Sequence, residues 1–286
     1  MKKFPLKKEV LESLNRFKSM DTKTATIDEL EKEFMKLVTN FSFVLISFPK
    51  GIKSHRIRIN EGQKDFSQLS ELWYPPKKAI RKIGRCNDVE EQILYLAGGG
   101  HTALKETNPP VGSLITCIEC ETIKKIELID IGAIKYIDRE QYLKQYSTIH
   151  KNILENHYQD NELFDLDNML KEFIIEEFTR KVVENNEHLY KKSIAISKFF
   201  FKAPGVNGIL YPSIKSDLKE LNYAIPAVDA DKYFKPIRVD VFKMVYVEEL
   251  EKIGLTLTKG SYDELNFEKP IKYSAAKPIE NWAKLN

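Results

Sequence analysis

The feature that most constrains the fold is a switch of hydrophobic period, made twice. From about residue 41 to about residue 131 the apolar residues come in short strand-like runs: FSFVLISF (41–48), HRIRIN (55–60), QILYLA (92–97), SLITCIEC and KKIELIDI. In HRIRIN, alternation sets Ile57 and Ile59 on one face and Arg56 and Arg58 on the other. Residues 139–201 change to a helical period, in DREQYLKQYSTIHKNILENHY, LDNMLKEFIIEEFTRKVVE and HLYKKSIAISKFFFK. Strand-like runs return in GILYPS (208–213), LNYAIPA (221–227) and IRVDVFKMVYVEEL (237–250). A strand-rich chain interrupted by one helical block predicts an α+β fold, not a regular βαβ winding. SLITCIEC and KKIELIDI, close in sequence, are expected to be neighbouring strands.

The ends read differently. Residues 6–19 predict a short amphipathic helix. Thr26 and Glu29 form a T-x-x-E capping box, and Ile27, Leu30, Phe34, Leu37 and Val38 follow at helical spacing. These two helices are expected to pack on the main domain. From about residue 260 the chain is polar and contains proline, which predicts a weakly structured tail. The expected division is an N-terminal helical segment (1–45), a main domain (46–260) carrying the helical block at about 139–201, and a tail (261–286).

Charge narrows the function classes. Against 45 basic residues stand 42 acidic ones, a net charge of +3, too little for the strong basic face that nucleic-acid binding wants. One or two arginines still suffice for a small anionic ligand. The start, MKKFPLKKEVLESL, lacks the apolar core of a secretory signal, and no run reaches the ~18 apolar residues of a membrane span. Three sparse cysteines, Cys86, Cys117 and Cys120, fit a reduced, cytoplasmic protein. Cys117 and Cys120 have C-x-x-C spacing, but there is no second pair, and strand positions three apart face opposite ways. His55, His101, His150, His157 and His188 make no ligand pattern, so no metal is expected. No phosphate-binding glycine loop and no G-x-S-x-G elbow is present.

The chemistry-bearing residues gather in GRCNDVEEQILYLAGGGHTALKE (84–106). Arg85, Tyr95 and Glu106 fall at intervals of ten and eleven residues. A guanidinium grips phosphate or ribose oxygens through its fixed fork of donors. The same holds for Arg56 or Arg58, one of which is the cleft arginine while the other sits on a solvated strand face. Tyr95 is either a core residue or a platform for a planar ring. Glu106, in the last turn of a short helix, faces the negative end of the helix dipole, where a cation is preferred. Gly98-Gly99-Gly100 is a hinge or a place for close ligand approach. Ser213, in LYPS, is a turn serine or a site residue.

In order, HRIRI, GRCN, ILYLA, HTALKE, and then GVNGILYPS followed by LNYAI resemble the RES domain family, over roughly residues 50–245 and in the manner of its longer branch. His55 stands where an aromatic is usual, Cys86 where Phe or Ala is common, and Gly-Gly-Gly-His where an acidic residue often precedes the T-A pair. The resemblance implies an ADP-ribosyltransferase-like β-sheet core with flanking helices and a helical insertion. It implies NAD+ as substrate, with no further cofactor. Glu106, Arg85 and Tyr95 are then the catalytic residues. Arg56, Arg58, Tyr95 and Ser213 are then NAD+-binding, with Tyr95 on the nicotinamide ring and Glu106 on the ribose hydroxyls. It also implies a toxin or defence effector, an Xre-like antitoxin partner and a homodimer, with no membrane or direct nucleic-acid partner.

Three activities follow as expectations. The first is NAD+ glycohydrolysis, releasing nicotinamide and ADP-ribose. The second is protein ADP-ribosylation from the same substrate. The third, from another class, is a non-catalytic nucleotide-binding or protein-interaction module.

Overall fold

The computed structural model describes residues 7–38, 41–136, 161–248, 252–261 and 265–275. In chain order its longer elements are α1 (Lys7–Ser19), α2 (Ile27–Val38), β1 (Leu45–Phe48), β2 (Lys53–Ile59), β3 (Ile93–Ala97), α3 (Gly100–Thr107), β4 (Leu114–Thr122) and β5 (Ile126–Asp130). They continue with α4 (Ala133–Tyr136), α5 (Asn161–Thr179), α6 (Lys191–Phe201), β6 (Gly208–Pro212), β7 (Leu221–Pro226), α7 (Ala227–Tyr233), β8 (Phe234–Glu248), β9 (Lys252–Ser261) and β10 (Ser274–Ala275). The fold is α+β, with helices and a largely antiparallel set of strands. Its parts form two compact units, each from three separated stretches of chain.

The first unit takes the described residues of Met1–Ile46, Lys77–Glu91 and Glu127–Ile214. The capping box forms as the sequence predicts: the Thr26 amide donates to Glu29 Oε2 at 2.8 Å, and the Glu29 amide donates to Thr26 Oγ1 at 3.2 Å. Apolar residues at helical spacing bring Phe17 of α1 against Phe34 of α2 (ring centroids 5.7 Å apart) and against Phe173 of α5 (5.6 Å). Phe34 also meets Phe200 of α6 at 6.1 Å. The N-terminal helices and the helical block thus share one aromatic core, in which tilted and edge-on ring pairs contribute beyond their buried area. Residues 137–160, the first part of the expected block, lie outside the described residues. β5 and β6 pair in parallel, Leu128 opposite Gly208 and Asp130 opposite Leu210.

The second unit takes the described residues of Ser47–Pro76, Gln92–Ile126 and Lys215–Asn286. It is a sheet in the order β7-β3-β2-β4-β8-β9-β10, antiparallel throughout. β4 lies between β2 and β8, whereas β5 pairs with β6. The expectation that SLITCIEC and KKIELIDI are neighbours therefore fails, because each strand finds a partner distant in sequence. α3 covers one face through Ala103 and Leu104, which join Ile57, Ala97, Ile115, Cys117, Phe242 and Met244 in a buried apolar cluster. The C-terminal stretch is held more firmly than its polarity predicts. Ile271 donates its amide to Ser67 O at 2.8 Å, Tyr273 donates its hydroxyl to Phe66 O at 2.9 Å, and β10 pairs with β9.

In the first unit Gly132 turns the chain from β5 into α4 with φ +83°, where an added Cβ would stand 3.0 Å from Ile175 Cγ1. Both the left-handed backbone and the close contact oppose any side chain there. Gly132→Ala is expected to lower stability by about 1–3 kcal/mol, measured by denaturant unfolding of the full chain.

Candidate functional site

The register of the second unit lines up one residue from each of five strands, four of them polar. Asn222 of β7 lies opposite Ala97 of β3, which lies opposite His55 of β2. His55 in turn lies opposite Glu119 of β4, and Glu119 opposite Arg238 of β8. Paired residues project to the same face of an antiparallel sheet. Since Ala97, Cys117 and Ile57 of that face pack with α3, this is the face that α3 covers. Tyr95, two residues before Ala97 in β3, projects the same way.

Glu106 comes to this face from the last turn of α3. Thr107 Oγ1 donates to Ala103 O at 2.7 Å, and Asn108 caps the helix in a left-handed conformation, its amide on Leu104 O at 2.8 Å. With Ala103 and Leu104 buried, Glu106 is left at the exposed end of the helix. Asn222 Nδ2 donates to its Oε1 at 2.6 Å. That charge-assisted bond orients a carboxylate which the helix dipole alone disfavours. An oriented, water-accessible carboxylate is able to accept hydroxyl hydrogen bonds and to stabilise positive charge developing beside it.

The same face carries a charged cluster. Lys53 Nζ lies 2.7 Å from Glu119 Oε1, and Arg238 Nε lies 2.6 Å from Asp240 Oδ2. His55 is 6% exposed and Asp240 5%, and neither His55 Nδ1 nor Asp240 Oδ1 has a hydrogen-bond partner among the described residues. Burial lowers the His55 pKa below 6.5, against the pull of Glu119 and with the help of Lys53. Burial likewise raises the Asp240 pKa, with Arg238 opposing. Cys117 and Cys120 are buried free thiols whose pKa values burial raises. They are on opposite faces, since Cys117 pairs with Ile57 and Cys120 with Ser54. Among the described residues no group of three or more His, Cys, Asp or Glu is arranged to hold a metal.

The two strand arginines stand apart from this face. Arg56 and Arg58 alternate with His55 and Ile57 in an unbroken register and so project from the other side of the sheet. Arg56 Nη1 donates to the backbone carbonyl of Tyr95 at 3.0 Å, and its buried Nε has no hydrogen-bond partner among the described residues. Burial, and then Arg58, push its pKa down to about 10. Arg58 Nη1 donates to Glu71 O, and its guanidinium stacks on Phe66 at 5.1 Å. The sequence reading grouped Arg56 or Arg58 with Tyr95 and Glu106 in one cleft, whereas strand alternation separates them.

Arg85 and Ser213 belong to the first unit. Arg85 donates to Glu177 O (3.3 Å) and Arg180 O (3.2 Å) at the C-terminal end of α5, and its guanidinium lies 5.2 Å from the Tyr190 ring centre. A cation is favoured at that end of a helix. Its own carbonyl accepts a 2.7 Å bond from Ser193 Oγ. Ser213 directly follows β6 and is fully buried. None of Gly98, Gly99 and Gly100 has a positive φ. An added Cβ at Gly99 would meet nothing within 4 Å, so space is open at the start of α3.

No protein-family model, no curated protein and no solved structure matches this chain. Among the described residues no helix is long and apolar enough to cross a membrane.

Sequence reasoning missed Asn222 as the partner of Glu106, and missed His55, Glu119 and Asp240. The signal for His55 was present, since it continues the Ile57–Ile59 face of HRIRIN and so places an imidazole on an apolar stripe.

Two outcomes are expected here. Arg85→Ala is expected to lower stability by about 1–2 kcal/mol, through loss of the two carbonyl bonds at the end of α5, read by thermal unfolding. For His55, the folded pKa lies below the unfolded value of 6.5, so the unfolded chain binds the extra proton first. Its contribution is therefore present above pH 6.5 and is lost as pH falls through the folded pKa. Wild type is expected to lose stability on acidification in this window, and His55→Gln to show a shallower slope in paired denaturant titrations.

Proposed function

We propose that this chain cleaves the nicotinamide–ribose bond of NAD+, as a RES-like enzyme with an ADP-ribosyltransferase-type core, and acts as a toxin or defence effector that depletes NAD+. The observation that carries this reading is the Glu106 carboxylate held by Asn222 on the face to which Tyr95 projects. The ordered motifs from HRIRI to LNYAI supply the link to NAD+.

In this mechanism the bond from ribose C1′ to the nicotinamide nitrogen breaks, and its electron pair leaves with neutral nicotinamide. The transition state carries positive charge over C1′ and the ring oxygen, as in glycoside cleavage. The Glu106 carboxylate accepts ribose hydroxyl hydrogen bonds and stabilises that charge. Tyr95 provides a flat surface for the nicotinamide ring. Water then attacks C1′ and gives up a proton, yielding ADP-ribose. Arg56 acts as a positioning residue in this scheme, holding the Tyr95 backbone from the far side of the sheet. Arg58, Arg85 and Ser213 enter through the family resemblance, as does an Xre-like antitoxin partner.

Purified full-length protein incubated with NAD+ is expected to release nicotinamide. Glu106→Gln is expected to reduce the rate about a hundredfold or more. Asn222→Ala is expected to reduce it about tenfold with substrate KM little changed, because it frees the carboxylate without removing it. Unchanged NAD+ at stoichiometric enzyme, or full activity in Glu106→Gln, would sink the reading. A mass increase of one ADP-ribose on a co-incubated protein would redirect it to transfer.

A further inference from the structure

Away from the α3 face, the second unit contains a pocket of about 290 Å³ lined by Ser70, Trp73, Tyr74, Asp231, Phe234 and Phe267. Two of its aromatic walls meet at a steep angle. The Trp73 and Phe267 rings are 5.3 Å apart with planes inclined at 71°. Trp73 is 3% exposed while Phe267 is 42% exposed, so the latter forms an outer wall. That wall is held in place by the Ile271 and Tyr273 bonds to residues 66 and 67.

The acid in the pocket is already oriented. Trp73 Nε1 donates to Asp231 Oδ1 at 3.0 Å, and Tyr74 Oη donates to Oδ2 at 2.6 Å. Both donors are neutral, so they fix the carboxylate without cancelling its charge. No cation among the described residues pairs with Asp231 or stacks on Trp73, Tyr74 or Phe267. Burial, together with Asp231, raises the Tyr74 pKa to about 12, which keeps its hydroxyl a donor.

We propose that this pocket binds a monovalent alkylammonium cation, the chemistry shared by a free quaternary amine and a methylated lysine side chain. Aromatic faces present negative potential, and an organic cation set against them loses little hydration. Asp231 adds a full negative charge on the same pocket. A divalent metal is a poor match, because calcium or magnesium requires about six oxygen ligands and the pocket offers one carboxylate. A nucleobase is also a poor match, because steeply inclined rings make a corner, whereas a flat heterocycle requires a slot. The site is separate from Glu106 and does not depend on the NAD+ reading.

The test is calorimetric titration of the full-length protein with choline and with its neutral carbon isostere, dimethylbutanol. Choline is expected to bind saturably, about tenfold or more tighter than the isostere. Phe267→Ala, an outer-wall change that leaves Asp231 and its two donors intact, is expected to weaken choline about tenfold. Asp231→Asn is expected to do the same, with thermal unfolding recorded to confirm that it folds. Glu106→Gln is expected to bind choline like wild type. A peptide carrying trimethyllysine separates the two sources, since tighter binding than choline assigns a protein ligand and weaker binding a free amine. Three results would overturn the proposal: no saturable choline binding by wild type, equal binding of the isostere, or tighter binding of the flat N-methylnicotinamide cation.

Discussion

The pairing of His55 with Ala97 is the constraint on which the second unit's chemistry depends. Strand side chains alternate with a period of two, so one such pair fixes which residues of β2 and β3 share a face. It sends His55, Ile57, Tyr95 and Asn222 toward α3, and Arg56 and Arg58 away from it. A slip of one residue would exchange the two sets. It would turn Arg56 and Arg58 into the apolar contact with α3 and send Ile57 to the opposite face. The apolar cluster of Ile57, Ala97, Ala103 and Leu104 therefore guards the register as well as packing the core.

Much of this architecture was legible because its signals are local. The capping box at Thr26 and Glu29, the alternation of HRIRIN and the helical period of 161–179 all act within a turn or a strand. What was not legible is what depends on distant residues. Glu106 and Asn222 are 116 positions apart, and no periodicity announces a bond across that interval. The neighbours of β4 and β5 were misjudged for the same reason, since proximity in sequence is a poor guide once each strand has a better partner elsewhere.

Arg85 shows the limit in another way. Its place in GRCN, ten residues before Tyr95, suggested a ligand-binding role, yet its guanidinium spans two carbonyls at the end of α5. A sequence motif records that a residue type is required, and a guanidinium is required equally by a phosphate and by a helix C-terminus. Arg56 is a similar case: its partner is a backbone carbonyl of the neighbouring strand. Backbone acceptors carry no sequence signature, so neither role was readable beforehand.

The interleaving of the two units has a consequence for how the chain acquires its structure. The first unit draws on residues as late as Ile214, and the second begins at Ser47 yet depends on Tyr273 bonding back to Phe66, 207 residues earlier. During synthesis neither unit is able to close while its last stretch is still unmade. The early strands β3 and β4 must wait, each with one edge unpaired, for β7 and β8. Contacts of such long range make folding slow and leave strand edges exposed to wrong partners. A chain built this way places a premium on rapid burial of its early helices, and the aromatic core of Phe17 and Phe34 is available to begin that within the first forty residues.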